Sequence, residues 1–127
     1  MPAKLILIIE DDLRIARLVA EVLDEAGYAT HLVADLNAAR AFKSAGGEPT
    51  GVISDLVVEG SNDPAGLADA IDAIFPGVPL TLMTGVPPKR RAHLGVVHER
   101  VLEKPFELTA LLSSVSAMVG PPGAPTP

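Results

Sequence analysis

Glu10, Asp11 and Asp12 follow directly on an unbroken apolar run, Leu5–Ile9. Asp55 closes a second such run, "GVISD". Thr84 and Gly85 close a third, and Lys104 and Pro105 follow a short fourth. Carboxylates crowded at the mouth of a buried element disfavour ionisation unless a cation offsets them. A hard divalent cation such as Mg²⁺ suits them, because it takes oxygen ligands and keeps several waters. A lysine adds a second, fixed positive charge. Metal, ammonium and hydroxyl together make a clamp for a phosphoryl group, where catalysis is mostly positioning and charge neutralisation. A carboxylate inside that clamp can act as a nucleophile.

These side chains can cooperate only if the chain brings them to one place. Leu5–Ile9 is short, wholly apolar and rich in Ile, as a parallel strand covered on both faces should be. The period then changes. Ile15, Leu18, Val19, Val22, Leu23 and Ala26 follow helical spacing, and Gly27 suits the residue just past a helix end. The alternation continues with a strand over 28–33, a helix over 37–44 and a strand over 51–55. Asp63-Pro64 signals a helix start, with Leu67, Ala70, Ile71 and Ile74 on one face. A strand over 78–84, a short helix over 89–94 and a brief strand within 100–106 follow. The last helix carries Leu108, Leu111, Leu112, Val115 and Val119 and stops at Gly120-Pro121.

Strands alternating with helices predict a doubly wound α/β domain, a three-layer sandwich around a parallel sheet. Such sheets bind ligands at the carboxyl ends of their strands, near the topological switch point. Glu10, Asp11, Asp55, Thr84 and Lys104 all lie at those ends, so the fold would gather them on one rim. Asp12 reads as the N-cap of the first helix.

Composition narrows the alternatives. The chain has 127 residues, enough for one domain with a real core. We expect that domain over 1–119, followed by a disordered Gly/Pro tail over 120–127. There is no cysteine, so disulfides and thiolate metal sites are excluded. The net charge of −6 argues against a nucleic-acid partner. Lys89, Arg90 and Arg91 read as a solvated helix face. No run approaches the roughly 20 apolar residues of a membrane span, and the first run is cut off too early for a signal segment. A cytoplasmic setting without a membrane partner is the expectation. His31, His93 and His98 share no metal-ligand spacing.

The ordered set "LIIEDD", "VISDL", "LMTG" and "EKPF" resembles the receiver domain of two-component response regulators, the class that includes the chemotaxis response regulator. Each motif alone is weak; together and in order they are specific. The resemblance runs from about Lys4 to Val119. It implies a flavodoxin-like (βα)5 fold with strand order 2-1-3-4-5. It also implies a stand-alone phosphoacceptor, acting in signalling or phosphorelay, that catalyses only its own phosphorylation and dephosphorylation. Asp55 would take the phosphoryl group from a phosphohistidine of a sensor kinase or phosphotransfer protein. Asp11 would bind Mg²⁺ directly, Glu10 would act through water, and Asp55 and the Val57 carbonyl would complete the protein's ligands. Thr84 and Lys104 would bind phosphoryl oxygens, with Gly85 and Pro105 lining the pocket. The Lys104-Pro105 peptide is expected to be cis. Output would pass to another protein, and self-association into a homodimer stays open.

Several positions depart from the family's pattern. Val101 stands where an aromatic switch residue is common, and Glu59 where a proline is frequent. The stretch 57–63 is long. Val57 and Val86 flank the expected path of a hydrolytic water and cannot hydrogen-bond it, which implies slow hydrolysis. Leu13, Ala16, Arg17 and Ala20 are expected on the outer face of the first helix, where, with Phe106, they would meet the histidine-bearing partner. Two other functions are compatible with the residues. One is a receiver-like binding module without a working switch. The other is a phosphohydrolase, which the absence of a second Asp at Val57 disfavours.

Overall fold

The β-rich apolar runs form a five-stranded, all-parallel sheet in a computed structural model that describes residues 3–58, 63–96 and 98–123. The strands are β1 (Leu5–Ile9), β2 (Ala29–Val33), β3 (Gly51–Asp55), β4 (Leu80–Thr84) and β5 (Val101–Glu103). The helices are α1 (Leu13–Glu25), α2 (Leu36–Ser44), α3 (Leu67–Ile74), α4 (Pro88–His93) and α5 (Leu108–Val119). The strand order β2-β1-β3-β4-β5 agrees with the expected one.

Successive residues of a strand point to opposite faces, and β1 divides its apolar side chains accordingly. Ile6 and Ile8 pack with Ala16, Val19 and Leu23 of α1 and Leu111 and Val115 of α5. Leu7 and Ile9 pack with Leu36 and Ala39 of α2 and Leu67 and Ile71 of α3. Ile6, Leu7, Ile8 and Ile9 are all fully buried, which explains a run with no polar alternation. Burying each such side chain stabilises by about 1.5–3 kcal/mol. Among the described residues, no helix is long and apolar enough to cross a membrane.

Caps set the helix starts. The Asp12 carboxylate accepts the Arg14 N–H at 3.0 Å, as expected of an N-cap. Asp35, which the apolar spacing does not single out, caps α2 by accepting the Ala38 N–H at 2.8 Å. Asp63-Pro64 opens a 3₁₀ turn, Pro64–Gly66, and α3 begins only after it. Gly27 follows α1 with φ 103°, the left-handed conformation that glycine adopts without strain. The Gly/Pro segment after α5 is tied at its start. The Tyr28 hydroxyl donates to the Gly120 carbonyl at 2.8 Å, and the Lys4 ammonium donates to the Val119 carbonyl at 2.6 Å. Glu59 lies outside the described residues, as do 60–62 of the long loop and 124–127 of the tail.

The buried face of α1 differs from the expected one. Ala16 and Ala20 are buried at 1% and 8% exposure, while Leu18 is 48% exposed. The buried stripe is Ala16, Val19, Ala20 and Leu23, spaced i, i+3, i+4, i+7. Alanine carries little hydrophobic signal in a sequence, but its small side chain lets a helix approach the sheet closely. The larger Ile15, Leu18 and Val22 sit at the flank of that stripe. The corrected face is testable by chemical denaturation. Ala16→Leu should destabilise by about 1–3 kcal/mol through overpacking. Leu18→Ala should change stability by no more than about 1 kcal/mol. The reverse ranking would restore the larger residues to the core face.

Candidate functional site

The sheet changes direction of winding at β1 and β3. From β1 the chain crosses to β2 on one side, then returns to β3 on the other. That switch point opens a crevice at the carboxyl ends of the two strands. Glu10 and Asp11 leave β1 there, and Asp55 is the last residue of β3. One carboxylate oxygen from each of Glu10, Asp11 and Asp55 lies within 4.8 Å of the others. Three hard oxygen donors at this separation fit a small divalent cation such as Mg²⁺. Val57, 64% exposed, stands two residues past Asp55.

Lys104 comes from the far side, just beyond β5. Its ammonium donates to the Glu10 Oε1 atom at 2.9 Å and lies 3.4 Å from the Asp55 Oδ1 atom. Glu10 is nearly sealed, its side chain 1% exposed. Burial pushes its carboxyl above the usual carboxylate range, against the opposing hydrogen bond from Lys104. For Lys104, burial pulls the ammonium down, but the Glu10 hydrogen bond and the negative charges of Asp55 and Glu10 outweigh it. The net direction is upward, so Lys104 stays charged. With all groups ionised, three carboxylates face one ammonium. A divalent cation would offset the remaining negative charge.

Thr84 ends β4 and is buried, 2% exposed. Its carbonyl accepts the Lys104 N–H at 2.7 Å, which joins the hydroxyl and the ammonium through one backbone contact. Its hydroxyl oxygen accepts the Val86 N–H at 2.9 Å. Among the described residues the hydroxyl proton has no acceptor, so it can donate to an arriving oxygen. A Cβ built on Gly85 meets no atom within 4 Å, so the space next to Thr84 is open. The Lys104-Pro105 peptide is cis, as expected. Pro105 borders an apolar groove of 370 Å³ with Ile15, Leu18, Lys104 and Phe106. That groove runs beside Lys104, on the α1 side of the rim.

Other residues fall outside this cluster. Asp12 caps α1 and pairs with Arg14 at 3.3 Å. Val101 is half-buried in β5 and packs against the core on the α2–α3 side of the sheet. His31 stacks on Phe42 with ring centroids 4.5 Å apart, and His98 bonds the Leu80 carbonyl. Lys89 and Arg90 are exposed as expected, but Arg91 is not part of a solvated face. Its side chain is only 14% exposed, and it bonds the Val86 carbonyl at 2.8 Å and Glu103 at 3.1 Å. Nothing local in the sequence marks it, because Glu103 is 12 residues away in strand β5. The charge balance at the rim makes a direct prediction. Lys104→Met should lower metal-free stability by about 1–3 kcal/mol, since buried Glu10 loses its partner. Added Mg²⁺ should narrow that loss. Urea melts in chelator and in Mg²⁺ measure both, and an unchanged chelator midpoint would refute the account.

Three solved structures give the arrangement a context. A response regulator receiver protein from Sinorhizobium medicae WSM419 is 26% identical, with TM-score 0.76, covering 92% of this chain and 94% of its own. The chemotaxis response regulator CheY4 of Vibrio cholerae is 22% identical, with TM-score 0.75, covering 92% and 99%. A putative response regulator from Chloroflexus aurantiacus J-10-fl is 22% identical, with TM-score 0.75, covering 93% and 98%. No protein-family model matches the chain, and no curated protein matches it. The similarity to these proteins is therefore one of shape, together with the rim residues that the shape brings together. Over about 92% of its length, the chain has the fold of a response regulator receiver domain.

Proposed function

We propose that the chain is a receiver that accepts a phosphoryl group on Asp55, with Mg²⁺, from a phosphohistidine of a sensor kinase or phosphotransfer protein. The observation that carries this reading is the placement of Lys104. Its ammonium contacts both Glu10 and Asp55 while the carboxylates of Glu10, Asp11 and Asp55 converge. Three ionised carboxylates and one ammonium leave two negative charges, which a divalent cation would offset, and the cation and Lys104 would then face the incoming phosphoryl oxygens.

In the proposed step an Asp55 oxygen attacks phosphorus. The new P–O bond forms as the P–N bond to the donor imidazole breaks, and the imidazole nitrogen keeps the electron pair. Bound Mg²⁺ would supply charge neutralisation and an oxygen-rich template. Glu10, Asp11, Asp55 and the Val57 carbonyl are the proposed protein share of its ligands, Glu10 through water. Lys104 holds one phosphoryl oxygen, and the Thr84 hydroxyl donates to another. Gly85 leaves space for the group, and Pro105 borders it. The apolar groove formed by Ile15, Leu18, Pro105 and Phe106, with exposed Leu13 nearby on α1, would receive the histidine-bearing partner. The proposed receiver unit spans 1–119, its setting is the cytoplasm, and its output is contact with a further protein.

A binding module without phosphorylation is the second reading, and Val101 favours it, since a core-packed valine cannot swing between surface and interior. Mass measurement separates the two. Incubated with Mg²⁺ and acetyl phosphate, the wild type should gain the mass of one phosphoryl group, and Asp55→Ala should gain none. Chelator should abolish the gain. No gain on the wild type would favour the binding module. The phosphorylated form should decay over minutes or longer, because neither Val57 nor Val86 can orient a water through its side chain; loss within seconds would refute that part.

A further inference from the structure

Arg91 sits in a helix of six residues, beside exposed Lys89 and Arg90, yet turns inward. Its guanidinium uses two nitrogens for two acceptors. Nη1 donates to the Val86 carbonyl at 2.8 Å, and Nη2 donates to the Glu103 Oε1 atom at 3.1 Å. Val86 in turn donates its N–H to the Thr84 hydroxyl oxygen at 2.9 Å. Glu103 lies opposite Thr84 across the β4–β5 pair, and the next residue, Lys104, donates its N–H to the Thr84 carbonyl. The contacts close a ring: Thr84, Val86, Arg91, Glu103, Lys104 and back to Thr84. Arg91 is the member of that ring that reaches α4.

We propose that Arg91 is a positioning residue that couples the Thr84 hydroxyl to the α4 surface. The proposal rests on the reading of Asp55 as the phosphoacceptor, which gives Thr84 a reason to move. The hydroxyl oxygen of Thr84 holds the Val86 amide. When the Thr84 side chain swings to bring its proton to a phosphoryl oxygen, its oxygen moves with it, the bond to the Val86 amide lengthens, and the Val86 peptide is released from one side. The same peptide's carbonyl is held by Arg91. A shift of this peptide therefore pulls on the guanidinium and alters its pairing with Glu103. The surface that changes is α4, which carries Lys89 and Arg90. This route needs no rotating aromatic at Val101.

The chemistry of the guanidinium matters. Its planar fork serves two acceptors in different directions, whereas an ammonium is a point charge on a flexible stem. Glu103 is 57% exposed, so the ion pair itself adds little to stability. The tie should therefore be visible in local order and coupling, with only a small effect on the global melt.

Amide and side-chain NMR test it on the full chain with Mg²⁺. Arg91→Gln should speed hydrogen exchange at the Val86 amide by about three- to tenfold, the range expected for losing one net hydrogen bond. Arg91→Lys should recover part of that protection. Thr84→Val, which removes the hydroxyl at nearly constant size, should shift the Arg91 Nε–H resonance. Glu103→Gln should shift the same resonance, which probes the ring from its other side if Arg91→Gln is poorly folded. Unchanged Val86 exchange in Arg91→Gln, or an Arg91 resonance indifferent to Thr84→Val, overturns the proposal. Neither arm needs a phosphodonor. Acetyl phosphate added to the wild type should then move the Arg91 resonance in the direction set by Thr84→Val. If the mass shows no phosphoryl gain, the reading of Asp55 fails, while the first two arms still decide the coupling. A phosphoryl gain with a still Arg91 resonance overturns the coupling alone.

Discussion

An ammonium held between the buried carboxylate of Glu10 and the half-buried one of Asp55 sets the terms for this molecule. Lys104 reaches Glu10 and Asp55 from β5, the edge strand, across the ends of β4 and β3. Glu10 has almost no access to water, so its charge must be met by protein or by a bound cation. The sheet order serves that need. β1 and β3 are neighbours, which puts Glu10, Asp11 and Asp55 at one crevice. β4 and β5 then carry Thr84 and Lys104 to its far wall. A different strand order would leave the ammonium remote and the carboxylates opposed only by one another.

The core supports this rim by being rigid where the rim is strained by charge. β1 is buried on both faces, with Ile6 and Ile8 on one helix layer and Leu7 and Ile9 on the other. A strand held in this way cannot shift to relieve repulsion at its end. The alanines of α1 let that helix lie close, which brings its exposed Leu18 and half-buried Ile15 next to Pro105 and Phe106. Packing that looks unrelated to chemistry thus shapes the groove beside the proposed phosphoacceptor. On the opposite side, Arg91 links the loop after β4 to the end of β5, so Thr84 and Lys104 share a frame.

Much of this was legible in the residue pattern. Short apolar runs alternating with helical spacing announced the parallel sheet, because strands covered on both faces have no polar period. The acids, the threonine and the lysine were recognisable because each stands where a run ends. Asp12 was recognisable as a cap by its position just ahead of a helix. Other features were hidden for physical reasons. Ala16 and Ala20 were misplaced, since burial of a small side chain leaves no hydrophobic signature. Asp35 does not stand out because the apolar spacing starts the helix at 37, whereas α2 begins one residue earlier, at Leu36. The 3₁₀ turn at Pro64–Gly66 is indistinguishable from a helix start in the sequence, since Asp-Pro opens both.

Taken by itself, the sequence determined the α/β class, the strand and helix order, and which side chains stand at strand ends. Those are local properties, set by period, capping and breaker residues. Only the tertiary structure decided that the ammonium of Lys104 lies 2.9 Å from Glu10, 94 residues away in the chain. It alone turned Arg91 from a surface charge into a tie between the loop after β4 and the end of β5. Contacts of that kind depend on how layers stack and how strands are ordered, and no short window of sequence carries the distance between two elements.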